Sequence, residues 1–181
     1  MRLDQYLVEK KLVKSRSKAK ELIQSSLVFV DSICVTKPSF QVLGEVQIEI
    51  KNAEILQYVS RGALKLKPAI ARAKISVSGK KCLDVGVSTG GFSQCLLELD
   101  ASSVVGVDVG QAQTDSDLLD DQRFKVFEKI NAKQLEDYPE LSPYLEDIDL
   151  VVMDVSFISI TKILPSLVKN IKKNTELLSL V

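Results

Sequence analysis

The sequence predicts an α/β protein in two parts, a small α+β domain followed by a doubly wound parallel sheet, and three observations carry that prediction. First, apolar runs at Cys82–Val85, Val104–Val107 and Leu150–Met153 alternate with helical patterns, and each holds or adjoins an acid: Asp84, Asp108 and Asp154. Short apolar strands separated by helices call for right-handed crossovers and hence a parallel sheet. Second, the turn Gly86-Val87-Ser88-Thr89-Gly90-Gly91 joins the first run to a helix, which is how an open sheet forms a ligand crevice at its carboxyl edge. Third, the zero net charge is divided: residues 1–81 carry 16 Lys and Arg against 7 Asp and Glu, whereas residues 82–181 carry 8 against 17. This asymmetry suits a first part that meets a polyanion and a second that holds something else; two domains with ordinary solvated surfaces are the plainer reading.

Composition narrows the chemistry. The 181 residues contain no long uncharged apolar run, and Met1-Arg2-Leu3-Asp4 followed by mixed charge is no signal peptide, so a cytoplasmic protein without a membrane span is expected. Cys34, Cys82 and Cys95 lack ligand-like or redox spacing and lie in apolar contexts, which predicts reduced core residues with no disulfide and no metal. The chain has no histidine. That removes Ser-His-Asp and Cys-His chemistry together with the commonest metal ligand, and leaves proton transfer to Lys, Asp, Glu or Tyr.

In chain order, Leu3, Leu7, Val8 and Leu12 fall on one face of a first helix that ends near Lys14. Ser15 caps a second, Arg16–Gln24, with Ala19, Leu22 and Ile23 inward and Arg16, Lys18 and Lys20 outward. Leu27–Val30 and Ile33–Val35 read as strands around an Asp31-Ser32 turn, and Val46–Ile50 as a third. A basic helix pair with a hairpin suits structured RNA, because side chains reach phosphates and helix shape without reading base edges. The predicted domains are 1–54, a linker at 55–63, and 64–181. The stretch Gln57–Lys81 has seven basic residues and no acid, and includes a short helix to Ala73. It either continues the RNA track or is a solvated first helix.

The second part continues with a helix at Phe92–Leu99, a strand at Ser103–Asp108, a solvated acidic helix surface at Asp115–Asp121 and a strand at Phe124–Glu128. The fourth strand ends at Asp154, its loop is Val155–Ser159, a helix covers Ile160–Lys172, and Glu176–Val181 begins a fifth strand. In a dinucleotide site the glycine loop approaches a pyrophosphate, which Asp84 would repel. S-adenosylmethionine instead brings an ammonium and a sulfonium. Asp108, at the tip of the next strand, is placed to accept from a ribose diol, and Asn131 sits where an adenine is expected, an Asx turn being its other reading. The candidate cofactor-binding residues are Asp84, Gly86, Ser88, Thr89, Gly90, Phe92, Asp108 and Asn131.

Arg2-Leu3-Asp4, Ser15-Arg16, Ala19, Ile23, Val28, Val30 and Lys37-Pro38 resemble the RNA-binding domain of the ribosomal protein S-four type. The resemblance implies that Arg2, Arg16 and Lys37 face RNA with Lys18 and Lys20 in support, and Arg61 is added from the cationic stretch that follows. Ser26 and Asp31-Ser32 stand where that domain usually has glycine and Asn-Gly, which implies left-handed positions strained by about 1–2 kcal/mol. Tyr58-Val59-Ser60-Arg61-Gly62, Asp84-Val85-Gly86 with Ser88-Thr89-Gly90-Gly91-Phe92, Val107-Asp108-Val109-Gly110 and Asp154-Val155-Ser156-Phe157-Ile158-Ser159 together resemble the TlyA (hemolysin A) family. That family joins the same RNA-binding domain to an FtsJ-like, Rossmann-like methyltransferase. The resemblance implies 2′-O-methylation of cytidine in ribosomal RNA or ribosomal subunits, using S-adenosylmethionine. It also implies a Lys-Asp-Lys-Glu catalytic set, whose first lysine falls on Lys65 and whose aspartate falls on Asp154. The second lysine and the glutamate belong to segments after the fifth strand, so the resemblance implies a sheet incomplete at its carboxyl end. An RNA-binding protein with a cofactor pocket and little turnover is the rival expectation; membrane lysis ranks last, for want of a sufficiently apolar helix.

Overall fold

The computed structural model describes residues 1–51, 58–155 and 158–180. The expected boundary near Glu54, the first linker residues 55–57, Ser156 and Phe157 of the loop after the fourth strand, and Val181 lie outside the described residues. The chain packs as two units, Met1–Val59 and Ser60–Val181.

The first unit contains helices α1 (Leu3–Glu9) and α2 (Arg16–Gln24) and strands β1 (Val28–Val30), β2 (Ile33–Cys34) and β3 (Ile48–Ile50), the strands forming an antiparallel sheet in the order β2-β1-β3. Leu3, Leu7, Ala19, Leu22, Ile23 and Val28 are buried, as the helical and strand spacings require. Ser15 caps α2, its Oγ accepting from the Lys18 N–H at 3.2 Å. Helix α1 stops sooner than its apolar spacing suggests. Lys11 turns left-handed at φ 56°, leaving Leu12 40% exposed while Val13 takes the buried place.

The hairpin turn has both central residues left-handed, Asp31 at φ 47° and Ser32 at φ 68°, the geometry of a two-residue primed turn whose twist matches the strands. Ser26 is left-handed too, at φ 59°. Asp31 gains a compensating contact, its Oδ1 accepting from the Gln47 N–H at 2.9 Å, whereas none is seen for the Ser32 side chain. Cys34 is exposed, which corrects its expected place in a core. It sits on a two-residue edge strand with both positions turned to solvent, so its apolar neighbours do not bury it.

The second unit runs α3 (Gly62–Ala73), β4 (Lys81–Val85), α4 (Gly91–Glu98), β5 (Ser103–Asp108), α5 (Ser116–Leu119), β6 (Phe124–Glu128), α6 (Ser142–Leu145), β7 (Leu150–Met153), α7 (Leu164–Asn170) and β8 (Glu176–Ser179). Its five strands are all parallel, in the order β6-β5-β4-β7-β8. Successive crossovers diverge on either side of β4, so the carboxyl end of β4 is the topological switch point where such sheets bind ligands. Leu83, Val85, Val105, Val107, Val151 and Met153 share one face and pack with Leu135, Leu141, Leu145, Ile148, Ile163 and Leu167. The alternate positions Cys82, Asp84, Val104, Gly106, Leu150 and Val152 are buried as well, on the face served by α4, against which α3 packs. Both faces are covered, which is why these strands read as continuous apolar runs.

The helix expected over Ile160–Lys172 is divided into a 3₁₀ turn, Ile160–Lys162, and α7, with Pro165 in the first turn of α7 where its missing N–H costs nothing. The acidic stretch forms only the single turn α5, which buries Leu118 and leaves Asp117 and Asp120 exposed.

Ser32 occupies a left-handed position with no side-chain hydrogen bond among the described residues to offset it, so Ser32→Gly should stabilise the first unit by about 0.5–1 kcal/mol. Urea denaturation read through hydrogen exchange of the β1 and β2 amides measures this; a lowered midpoint contradicts the turn assignment.

Candidate functional site

The carboxyl edge of β4 is shaped by backbone that ordinary side chains resist. Gly86 has φ 89°, and a Cβ there would stand 3.2 Å from Val155 Cγ1 and 3.3 Å from the Asp154 carbonyl oxygen, so glycine lets the β4 and β7 loops approach. Gly90 has φ 99° and opens α4; a Cβ at that position would collide with Leu118. Between them Ser88 is left-handed at φ 50°. Asp108 holds this loop. Its Oδ2 accepts from the Ser88 N–H and its Oδ1 from the Gly110 N–H, each at 2.7 Å. One bond per oxygen leaves lone pairs on both, so the acid that fixes the loop can still accept from a diol.

Asp84 is the most constrained group of this edge. It is 1% exposed, with its Oδ2 accepting from the Ser93 hydroxyl at 2.7 Å and its Oδ1 buried without any hydrogen-bond partner among the described residues. Burial pushes its carboxyl up to about 7; the Ser93 hydroxyl and N–H pull it back, and the like charges of Asp108 and Asp154 raise it further. An unanswered carboxylate oxygen in a dry site is what a cationic ligand would satisfy.

Lys65 and Asp154, 89 positions apart in sequence, meet at this same edge with Nζ 3.2 Å from Oδ2. Lys65 is largely exposed and Asp154 about one third exposed, so the pair is open to a substrate. Asn131 caps a 3₁₀ turn, its Oδ1 accepting from the Lys133 N–H at 3.2 Å and its own N–H donating to the Tyr138 hydroxyl at 3.1 Å. That is the Asx-turn geometry. Thr89 is half-buried and ties the loop onward, its carbonyl accepting from the Asp115 N–H at 3.2 Å. Phe92 departs from the cofactor-lining expectation: it is buried, and its ring lies 3.2 Å from where a Cβ on Gly62 would be. It is packing between α3 and α4. Gly91, absent from the candidate set, matters for that packing, since a Cβ there would collide with Ser60 Oγ and crowd Gly62.

In the first unit, the expected RNA-facing residues Arg2 and Arg16 converge on an acid that sequence reasoning passed over. Asp4 is fully buried and accepts from Arg2 Nε at 2.9 Å, Arg2 Nη2 at 3.3 Å and Arg16 Nη2 at 3.0 Å. The Arg2 hydrogen bond holds its carboxyl down to about 2, against its burial and with help from Arg16. Both guanidiniums remain partly exposed, at 39% and 51%. Lys20, Lys37 and Arg61 are exposed. Lys18 is not outward, as its helical position suggests. Its side chain is 10% exposed, with Nζ donating to the Tyr58 carbonyl at 2.8 Å and lying 3.3 Å from Glu21. Among the described residues, no three Cys, Asp or Glu side chains group as metal ligands, and no helix is long and apolar enough to cross a membrane.

Because Asp84 binds a proton in the folded unit up to about pH 7 and in the unfolded chain only to about pH 4, its ionisation removes stability as pH rises through that window. Without ligand, Asp84→Asn should therefore gain on the parent between pH 4 and 8, by up to about 4 kcal/mol. Urea unfolding across that range tests it, and parallel pH profiles contradict it.

Two family models match the chain, the S4 domain over residues 1–48 and the FtsJ-like methyltransferase over residues 58–181. Hemolysin A of Brachyspira hyodysenteriae is 40% identical over 173 residues, covering 94% of this chain and 69% of that protein. The 16S/23S rRNA (cytidine-2′-O)-methyltransferase TlyA of Mycobacterium tuberculosis is 39% identical over 180 residues, covering 99% of this chain and 66% of that protein. A solved structure from Streptococcus thermophilus, described provisionally as a hemolysin, matches with TM-score 0.69 at 32% identity, covering 100% of this chain and 65% of the other. The chain thus spans about two thirds of the length of these relatives. With an S4 domain ahead of a parallel sheet whose carboxyl edge carries the acids and glycines described above, the chain belongs to the TlyA (hemolysin A) family of FtsJ-like methyltransferases.

Proposed function

We propose that this chain transfers the methyl group of S-adenosylmethionine to the 2′-hydroxyl of a cytidine in ribosomal RNA, with residues 1–54 recognising RNA, 55–63 linking, and 64–181 performing the transfer. The observation that carries the reading is the meeting of Lys65 with Asp154 at 3.2 Å on the sheet edge where Asp84 presents a buried oxygen lacking a partner. Relatives named as rRNA (cytidine-2′-O)-methyltransferases support the choice of substrate. Such a protein works in the cytoplasm and needs neither membrane nor metal.

The residues of the edge fit that cofactor. Asp84 would take an ammonium, Asp108 a ribose diol, and the left-handed run from Gly86 through Ser88 to Gly90 leaves room at the carboxyl end of β4. When bound, the cofactor supplies a methyl group on a sulfonium, already a strong electrophile. The protein's task is then to align a weak nucleophile with it and help a proton leave. Lys65 places a positive charge where negative charge develops on the ribose oxygen as the new O–C bond forms and the S–C bond breaks. Asp154 fixes that ammonium, replacing water's freedom with one orientation. In a chain without histidine, the hydroxyl proton falls to a Lys, Asp, Glu or Tyr side chain, and the Lys65–Asp154 pair is assembled at this edge.

The chain incubated with methyl-labelled donor and ribosomal subunits should label ribose in RNA. Lys65→Ala should slow that transfer about 100-fold while changing donor affinity less than about twofold; an unchanged rate removes Lys65 from the chemistry. A parent chain that takes up donor and RNA yet transfers nothing supports the binding-only reading instead. Arg16→Ala should weaken RNA binding and reduce the slope of log affinity against log salt by about one. A slope equal to the parent's contradicts a phosphate contact.

A further inference from the structure

We propose that Ser93 is a positioning residue for the cofactor site: its hydroxyl holds the Asp84 carboxylate ionised and aimed, and so sets the pH range over which Asp84 accepts a cationic ligand. The inference rests on the adenosylmethionine reading of the site and deepens it.

Ser93 is itself fully buried, in the first turn of α4, and its Oγ donates to Asp84 Oδ2 at 2.7 Å. A serine hydroxyl has one hydrogen to give, and here it goes to Oδ2, leaving Oδ1 for a ligand. Among the described residues, no other side chain donates to Asp84. Its register neighbours across the sheet are Gly106 on β5 and Val152 on β7, neither with a polar side chain, and Cys82 lies two residues back on the same face of β4. The charged groups that bear on it from the flanking strand ends are Asp108 and Asp154, both of its own sign, and the nearby cation Lys65 is already engaged with Asp154. Removing the hydroxyl therefore leaves the Ser93 N–H alone to oppose desolvation and two like charges at Asp84.

Protonation would place a hydrogen on the carboxyl group that an ammonium needs bare. Affinity for a cationic ligand then follows the ionised fraction of Asp84, and Ser93 shifts that fraction without touching the ligand. A residue that merely packs would lower affinity by the same factor at every pH. A residue that sets ionisation lowers it most at low pH, and the gap closes once the pH is high enough to ionise Asp84 in the variant as well.

Calorimetric titration of the parent, Ser93→Ala and Ser93→Thr with S-adenosylhomocysteine from pH 6 to 9 separates these. Relative to the parent at the same pH, Ser93→Ala should bind about tenfold more weakly at pH 7, within about twofold at pH 9, and Ser93→Thr should restore the parent profile. Should the alanine variant not fold, Ser93→Cys, nearly isosteric and a weak donor, should show the same pH-dependent gap. Parent binding with a gap that is constant or absent across the range overturns the role of Ser93 while leaving the cofactor reading intact. A folded parent that binds nothing at any pH overturns both.

Discussion

A carboxylate buried in a hydrophobic sheet with one oxygen unanswered is the constraint on which the second unit turns. Burial of an ionised group in apolar surroundings costs several kcal/mol unless hydrogen bonds or charges compensate, and Asp84 has one side-chain donor, Ser93, where its two oxygens have room for several. The surrounding structure keeps it there. Strand order diverges at β4, so Asp84 lies at the switch point; glycines at 86 and 90 admit the backbone turns that follow it; and Asp108 ties the loop between them to the end of β5. Apolar residues at position 84 would pack more cheaply. A group that departs from local consistency inside an otherwise consistent sheet is where function is expected, and under the proposed reading it acts beside the Lys65–Asp154 pair.

The first unit buries an acid as well and reaches the opposite electrostatic result. Asp4 is as inaccessible as Asp84, but three guanidinium N–H groups from Arg2 and Arg16 answer it, so its carboxyl sits near 2 where that of Asp84 sits near 7. Burial raises both carboxyls, but at Asp4 the paired guanidiniums outweigh it, whereas at Asp84 the neighbouring charges, Asp108 and Asp154, add to it. In Asp4 the charge is internal and complete, and what reaches the surface is a pair of arginines whose positions are fixed in advance. Fixed guanidiniums lose less freedom on meeting phosphate than free side chains do, so under the proposed RNA-binding reading the buried acid would favour a phosphate contact.

Much of this was legible in the sequence, and the rest was hidden for identifiable reasons. Three apolar runs that hold or adjoin an acid, with Phe124–Glu128 and the segment from Glu176, anticipate the five strands of the parallel sheet, and Ser15 and the Asp31-Ser32 turn appear as their local chemistry demands, down to the left-handed dihedral angles. Lys65 and Asp154 were paired by motif, and the fold closes the 89-residue gap between them. What periodicity could not show was where charged side chains go. Arg2-Leu3-Asp4 gives no sign that its acid is inside, because the partner Arg16 is twelve residues on. Lys18 lies on a face that spacing marks as solvated, yet the Tyr58 carbonyl, supplied from a distant segment, draws its ammonium in. Phe92 closes the glycine-rich motif and Ser93 follows it without having been singled out; only the structure shows the ring packed beside Gly62 and the hydroxyl donating to Asp84. Leu12 and Cys34 failed for a simpler reason, since a left-handed residue and a short edge strand each end the pattern that would have buried them.

The central claim, that an ammonium completes the buried Asp84 carboxylate, is tested most directly by the proton balance of binding. S-adenosylmethionine is titrated calorimetrically into the unmodified chain at pH 7 in two buffers of different ionisation enthalpy. The account predicts one site per chain and a fraction of a proton released on binding, about one half where Asp84 is half-protonated, with that release abolished in Asp84→Asn. Binding with no buffer dependence, or no binding by folded protein, contradicts it.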